Sequence, residues 1–330
     1  MMKFIAFNVR EDEEKYFAQW EKETGNEVLR LPEMLDMTSV EKTKGFDGVL
    51  ALQTGTYPSE MFAEFKKFGV KVFSIRNVGV DNVDLDAAKE NGIVVTNVPA
   101  YSPNAIAEFS VTQLMQLLRN TTIFRNKVAK QDFRWAPYVG RELRSLTVGV
   151  IGTGRIGRAA INIYRGFGAK VIAYDLYPNP ELKEQGIYVD SYDELFSQAD
   201  VITLHMPATP NDHHLVNSEI LNKMKDGSYI INTARGALVD TKALISALKS
   251  GKLAGAALDT YENESDIFNH DLSGKKIDDP IFKELLALDN VLVTPHIAFY
   301  TETAVENMVL ISLNSAKSVC EDGTASTIVK

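Results

Sequence analysis

The chain has 330 residues and a net charge of −9, with 45% hydrophobic and 24% charged residues, the composition of a globular protein with material for two domains. The acidic balance argues against nucleic acid or an anionic membrane as partner, so an anionic ligand needs local arginines or backbone donors. A single cysteine, Cys320, excludes an intrachain disulfide and a cysteine-built metal centre. Arg10 and the acids after it interrupt any apolar targeting core, and no window reaches membrane-span length, so a cytoplasmic protein is expected.

In chain order, short apolar runs at 4–7, 48–52, 70–75 and 93–95 read as strands, and amphipathic segments at 12–23, 58–68 and 85–91 read as helices. Strands alternating with helices imply a parallel sheet. Within this block Arg76-Asn77-Val78-Gly79 follows a strand. It is either an ordinary strand-to-helix loop or a turn that opens backbone N–H groups towards an anion. Pro99 and Pro103 then hold an extended linker, and a long helix with Ile106, Phe109, Leu114, Leu117 and Leu118 at helical spacing begins at Pro103. Its position suits a helix buried between domains or subunits. Trp135 follows in a loop, as core or as a subunit contact.

The stretch 148–175, VGVIGTGRIGRAAINIYRGFGAKVIAYD, reads as strand, glycine turn, helix and second strand. Gly152 permits a tight turn, Gly154 lets the backbone approach a pyrophosphate, and Gly157 lets the helix pack on the strand. The helix start, with Arg155 and Ile156, turns its free N–H groups to the phosphates. Asp175 ends the second strand, where a carboxylate accepts from ribose hydroxyls and repels a 2′-phosphate. Leu176 and Tyr177 follow with no cation, so NAD is expected over NADP. Further strands at 170–175, 201–205, 228–234, 254–260 and 291–294, with 147–151, make the six of a complete dinucleotide-binding sheet. A helical pattern over 302–320 then returns to the first domain.

Ligands of open α/β sheets sit outside the carboxyl ends of the strands. Arg235, Glu264 and His296 follow three successive strand ends there, with Asp259 at the same edge. Arg235 can fork onto a substrate carboxylate and polarise a carbonyl. His296 can give its oxygen a proton, and Glu264 can orient the ring. His213 and His214 beside Asp212 lack a third ligand at metal spacing, so no metal is expected.

These motifs, RNVGVDN at 76–82, NVPAYSPNAIAE at 97–108, TVGVIGTGRIGR at 147–158, INTARGALVD at 231–240, DTYENE at 259–264 and TPHIAFYT at 294–301, span nearly the whole chain. Through them the sequence resembles the NAD-dependent D-2-hydroxyacid dehydrogenases, most closely the D-lactate and D-2-hydroxyisocaproate branches of fermenting bacteria. The resemblance implies a two-domain α/β fold, a Rossmann-type doubly wound parallel sheet (102–299) inserted into a smaller flavodoxin-like substrate domain (1–101 and 300–330). It implies that Arg235, Glu264 and His296 are catalytic, and that Met206, Pro207, Thr233, Ala234 and Asp259 join the glycine turn in holding NAD. Val78, Gly79 and Tyr101 would bind the substrate carboxylate, and Leu52 and Phe299 would wall its side chain. It also implies a homodimer, a hinge near Tyr101 and Phe299, and a D-2-hydroxy acid or 2-oxo acid as the small-molecule substrate. Apolar Leu52 and Phe299 disfavour dicarboxylic substrates. Within the resemblance, Phe299 is like the lactate branch and implies pyruvate and D-lactate, while Leu52, where several lactate enzymes carry an aromatic, leaves room for branched or aromatic 2-oxo acids. A catalytically idle NAD sensor is the reading from another class, and the retained catalytic trio argues against it.

Overall fold

The computed structural model describes residues 1–53 and 55–329. They form two compact units, Met1–Ser102 with Tyr300–Lys330, and Pro103–Phe299.

The first unit is built on β1 (Lys3–Ala6), β2 (Glu27–Arg30), β3 (Gly48–Ala51), β4 (Val72–Ile75) and β5 (Val94–Thr96), all parallel, in the order β2-β1-β3-β4-β5. That is the flavodoxin-like order, with its switch point between β1 and β3. Period-two alternation divides the side chains between two cores. Ile5, Val49, Phe73 and Ile75 face α2 (Met61–Phe68) through Phe62 and Phe65. Phe4, Ala6, Leu50 and Val72 face Trp20 and Phe17 of α1 (Glu14–Thr24). A third helix, α3 (Leu85–Glu90), starts at the cap made by Asp84. Strand β2 escapes the sequence reading because only Val28 of its four residues is buried, as befits a short edge strand.

The second unit contains β6 (Thr147–Ile151), β7 (Lys170–Tyr174), β8 (Val201–Leu204), β9 (Ser228–Asn232), β10 (Leu253–Leu258) and β11 (Val291–Val293), in the order β11-β10-β9-β8-β6-β7. Its helices are α4 (Pro103–Leu118), α5 (Thr121–Ala129), α6 (Arg155–Gly166), α7 (Pro180–Glu184), α8 (Tyr192–Gln198), α9 (Ser218–Lys223), α10 (Thr241–Lys249) and α11 (Pro280–Leu286). The six strands are present, but they are not the six of a complete 3-2-1-4-5-6 sheet. The third place, outside β7, is reduced to one bridge between Ala173 and Tyr188, and β11 adds a place at the far edge. Helix α4 is accounted for inside this unit, where Val111, Leu114 and Leu118 pack with Ala160, Ile161 and Tyr164 of α6.

Strands β7 to β11 stop one or two residues before their expected ends. Asp175, His205, Thr233, Asp259 and Thr294 lie just past the strand ends, although the N–H groups of His205, Asp259 and Thr294 still bond across to Ile151 O, Asn232 O and Leu258 O. The last helix, α12 (Glu302–Asp322), packs Val305, Val309 and Leu313 into the core of the first unit. Among the described residues no helix is long and apolar enough to cross a membrane.

Candidate active site

The carboxyl edge of the second sheet is shaped by side chains that fold the loops back on themselves. After β9, Asn232 accepts from Ala234 N (3.0 Å) and donates to Arg235 O (2.8 Å), which fixes the turn presenting the half-buried Arg235. The next residue must be glycine, since a Cβ on Gly236 would lie 2.1 Å from the carbonyl carbon of Tyr261. This close approach sets the Arg235 loop against the loop after β10. There Tyr261 N donates to Glu264 Oε2 (2.9 Å), and Tyr261 Oη donates to Asp279 (2.7 Å). The other oxygen, Glu264 Oε1, accepts from His296 Nδ1 at 2.7 Å. With Nδ1 committed, Nε2 is the ring position open to a substrate.

His296 has a left-handed backbone, φ 57°, which is costly for a side chain of this size and is imposed by its surroundings. Its N–H reaches Asp259 O (2.8 Å). The Asp259 carboxylate accepts from Thr294 Oγ1 (2.6 Å), Ile297 N (2.9 Å) and Ala298 N (2.8 Å). Gln113 of α4 steadies Thr294 at 3.1 Å. Burial raises the Asp259 carboxyl above its ordinary range, and these three bonds oppose the shift. Asp259 is 1% exposed; it organises the loop carrying His296, a function the strand-end argument did not foresee. His214 contacts Glu262 (3.0 Å) and stacks on His213.

The glycine turn fits a dinucleotide. A Cβ on Gly157 would lie 1.9 Å from Gly152 O, and one on Gly152, where φ is 89°, would lie 2.6 Å from His205 O, so both must be bare. A Cβ on Gly154 would meet nothing within 4 Å among the described residues. Gly154 is the N-cap of α6, and as a glycine it brings no capping side chain to that end. Open space at a helix start whose N-cap is a glycine, with its positive dipole end, suits a pyrophosphate. Met206 and Pro207 continue the loop that lies against Gly152. Thr233 is buried, and its hydroxyl has no partner among the described residues. Gly152, Gly154, Arg155, Ile156 and Gly157 would hold the pyrophosphate, Asp175 the adenosine ribose, and Met206, Pro207, Thr233 and Ala234 the remainder.

On the first unit, Leu52, Val78 and Gly79 follow β3 and β4 at one sheet edge. Asn77 donates to Gly79 O (2.7 Å), Asn97 donates to Val78 O (2.7 Å), and Val98 N donates to Asn77 O (3.0 Å). With these carbonyls tied back, the Val78 and Gly79 N–H groups point away from them. Asn8 fixes Leu52 O (2.5 Å), and Asn307 of α12 fixes Tyr101 O (2.6 Å). Beneath the turn, Arg76 is fully buried in an ion pair with Glu13 (3.0 Å), and it also donates to Phe7 O and Asn8 O. The buttressing role of these asparagines was not legible in the sequence, because an amide in a loop has no distinctive spacing.

Residues 111–298 match the model of the D-isomer specific 2-hydroxyacid dehydrogenase, NAD binding domain. The chain is 58% identical to a D-lactate dehydrogenase of Lactiplantibacillus plantarum over 100% of its own length and 99% of the relative's. It belongs to the D-2-hydroxyacid dehydrogenases. A solved D-2-hydroxyisocaproate dehydrogenase of this family superposes with a TM-score of 0.93 at 47% identity, covering 99% of each chain. An NAD-complexed family member from Lactobacillus delbrueckii ssp. bulgaricus gives 0.89 at 38% identity, over 99% of this chain and 100% of that one. The dehydrogenase is thus an NAD-dependent oxidoreductase, and its glycine turn lies within the matched NAD-binding domain.

Proposed function

We propose that the protein is a D-lactate dehydrogenase that reduces pyruvate and related 2-oxo acids, with Met1–Ser102 and Tyr300–Lys330 as the substrate domain and Pro103–Phe299 as the NAD domain. The observation that carries the catalytic assignment is the 2.7 Å contact between His296 Nδ1 and Glu264 Oε1, on the sheet edge that also presents Arg235. Bound NADH supplies the hydride that adds to the carbonyl carbon. His296 Nε2 gives a proton to the carbonyl oxygen, and in lactate oxidation takes it back. Glu264 holds the ring in the tautomer that leaves Nε2 outward and stabilises the imidazolium. Arg235 forks onto the substrate carboxylate and draws electron density from the carbonyl. Val78 and Gly79 N–H groups and Tyr101 are assigned to binding the substrate carboxylate, and Phe299 and Leu52 to its side chain.

Relatives named D-lactate dehydrogenase, one at 58% and one at 48% identity, favour lactate, and the absence of a cation in the assigned wall disfavours a second carboxylate. Leu52, smaller than an aromatic residue, supports a second reading in which branched 2-oxo acids are preferred. A pocket change of one methylene shifts preference by only about 1–3 kcal/mol. The protein is further proposed to be a cytoplasmic homodimer. Phe133, Trp135 and Val139 are 74%, 79% and 89% exposed, an apolar display that suits a subunit contact, and Trp135 lines a hollow of about 710 Å³ with Lys127, Asp132, Arg134, Pro137 and Tyr138. Following NADH absorbance with pyruvate, 2-oxoisocaproate, phenylpyruvate and oxaloacetate tests the reading. Pyruvate gives the highest kcat/KM. Oxidation of NADH with none of them sinks the assignment, and a preference for 2-oxoisocaproate moves it to the second reading.

A further inference from the structure

The reduced third strand at the edge of the NAD-domain sheet has a consequence for cofactor choice. Its bridge is held by Ala173 N to Ile187 O (2.8 Å) and Val189 N to Ala173 O (3.0 Å). These bonds hold Tyr188 between them, and its hydroxyl lies 2.6 Å from Thr153 Oγ1, inside the glycine turn. Thr153 is 2% exposed, and it donates twice to Asp175 Oδ2, from N (2.5 Å) and from Oγ1 (3.0 Å). Asp175 Oδ1 accepts from Tyr177 N (2.8 Å). At the far end, Asn179 N donates to Tyr188 Oη (2.8 Å).

One ordering of hydrogens makes every contact in this chain a hydrogen bond. Asn179 N–H can only donate and a carboxylate can only accept, so the Tyr188 proton points to Thr153 and the Thr153 proton points to Asp175. A carboxylate has about four acceptor sites. Both on Oδ2 are taken by Thr153 and one on Oδ1 by Tyr177, leaving one, on Oδ1. The side chain cannot rotate without breaking three bonds.

We propose that Tyr188, acting through Thr153, is a positioning residue that determines the preference for NAD over NADP. It pins Asp175 so that one acceptor faces the adenosine ribose and the negative charge cannot swing away from a 2′-phosphate. A ribose hydroxyl has a proton for that acceptor, whereas a phosphate brings only like charge. The inference rests on the assignment of Asp175 to the ribose, and Asp175→Ala tests that assignment separately.

The experiment is direct binding of NADH and of NADPH, by nicotinamide fluorescence titration without substrate, to the wild type and to Tyr188→Phe, Thr153→Val, Thr153→Ser and Asp175→Ala, with thermal melting of each. Tyr188→Phe and Thr153→Val weaken NADH binding by about three- to tenfold, the worth of about one ordinary hydrogen bond. NADPH binding stays the same or tightens, so the discrimination between the two cofactors narrows. Thr153→Ser keeps the hydroxyl and retains wild-type discrimination. If Tyr188→Phe does not fold, the Val and Ser variants at Thr153 decide alone. Wild-type discrimination in Thr153→Val, with collapse in Asp175→Ala, overturns the role of the chain while leaving the ribose assignment intact. Wild-type discrimination in Asp175→Ala removes both.

Discussion

Asp259→Asn probes the loop that carries His296. The wild-type carboxylate accepts from Thr294 Oγ1 and Ile297 N on Oδ1 and from Ala298 N on Oδ2. An amide of the same shape can keep the Oδ1 pair, but its NH₂ then faces the Ala298 N–H, donor against donor. Losing a bond to a charged acceptor costs about 1.5–3 kcal/mol, and a buried unsatisfied donor costs about 1–3 kcal/mol. Against this, the fold no longer buries a charge, which is the cause that raises the Asp259 carboxyl. A net loss of about 2–4 kcal/mol remains, or a fall of about 5–15 °C in Tm for a domain of this size. Because the folded pKa is raised, the wild type gains relative stability as pH falls through it. The gap between wild type and variant therefore widens on acidification. Displacing His296 by about 1 Å costs about a hundredfold in kcat. Melting curves across pH and steady-state kinetics check both arms. An Asn variant with wild-type Tm and kcat, or a stability gap that narrows in acid, refutes the anchoring argument.

Further outcomes follow from other contacts. His296→Ala loses about 10²–10⁴-fold in kcat, the worth of a general acid, and binds NADH as the wild type does; full turnover removes His296 from the proton-transfer role. Asn97→Ala frees Val78 O and raises KM for the 2-oxo acid by about five- to tenfold, the worth of about one hydrogen bond, with kcat and NADH affinity unchanged. An unchanged KM dissociates Asn97 from the carboxylate turn. The imidazole of His205 has a buried Nδ1 without a partner among the described residues, and burial pushes its pKa down to about 4 from 6.5. The unfolded chain takes up that proton first, so the fold loses up to about 3 kcal/mol as pH drops from 6.5 to 4. His205→Gln flattens the pH dependence of Tm over that window, and a profile parallel to the wild type discards the explanation.

The architecture of this chain was legible in its sequence because its causes are local and periodic. Alternating strand and helix patterns announce parallel sheets, and the spacing Gly152, Gly154, Gly157 states where backbone must approach backbone, as the 1.9 Å clearance at Gly157 bears out. Chain order alone brought Arg235, Glu264 and His296 to one sheet edge, because parallel strands put every carboxyl end on the same side. What the sequence did not disclose depends on contacts between residues far apart along the chain. The strand ends fell short where Asp259 and Asp175 turn their carboxylates to loop N–H groups and hydroxyls, partners that no local propensity encodes. Edge strand β2 and the one-residue remnant at Tyr188 carry too little apolar periodicity to register. The buttresses at Thr153, Tyr188, Asn77 and Asn97 use common polar residues at unremarkable positions. Only the tertiary structure, by bringing Tyr188 to 2.6 Å from Thr153 and Asn97 to 2.7 Å from Val78 O, decided that they hold the site, since a hydrogen bond depends on distance and direction in space rather than on position in the chain.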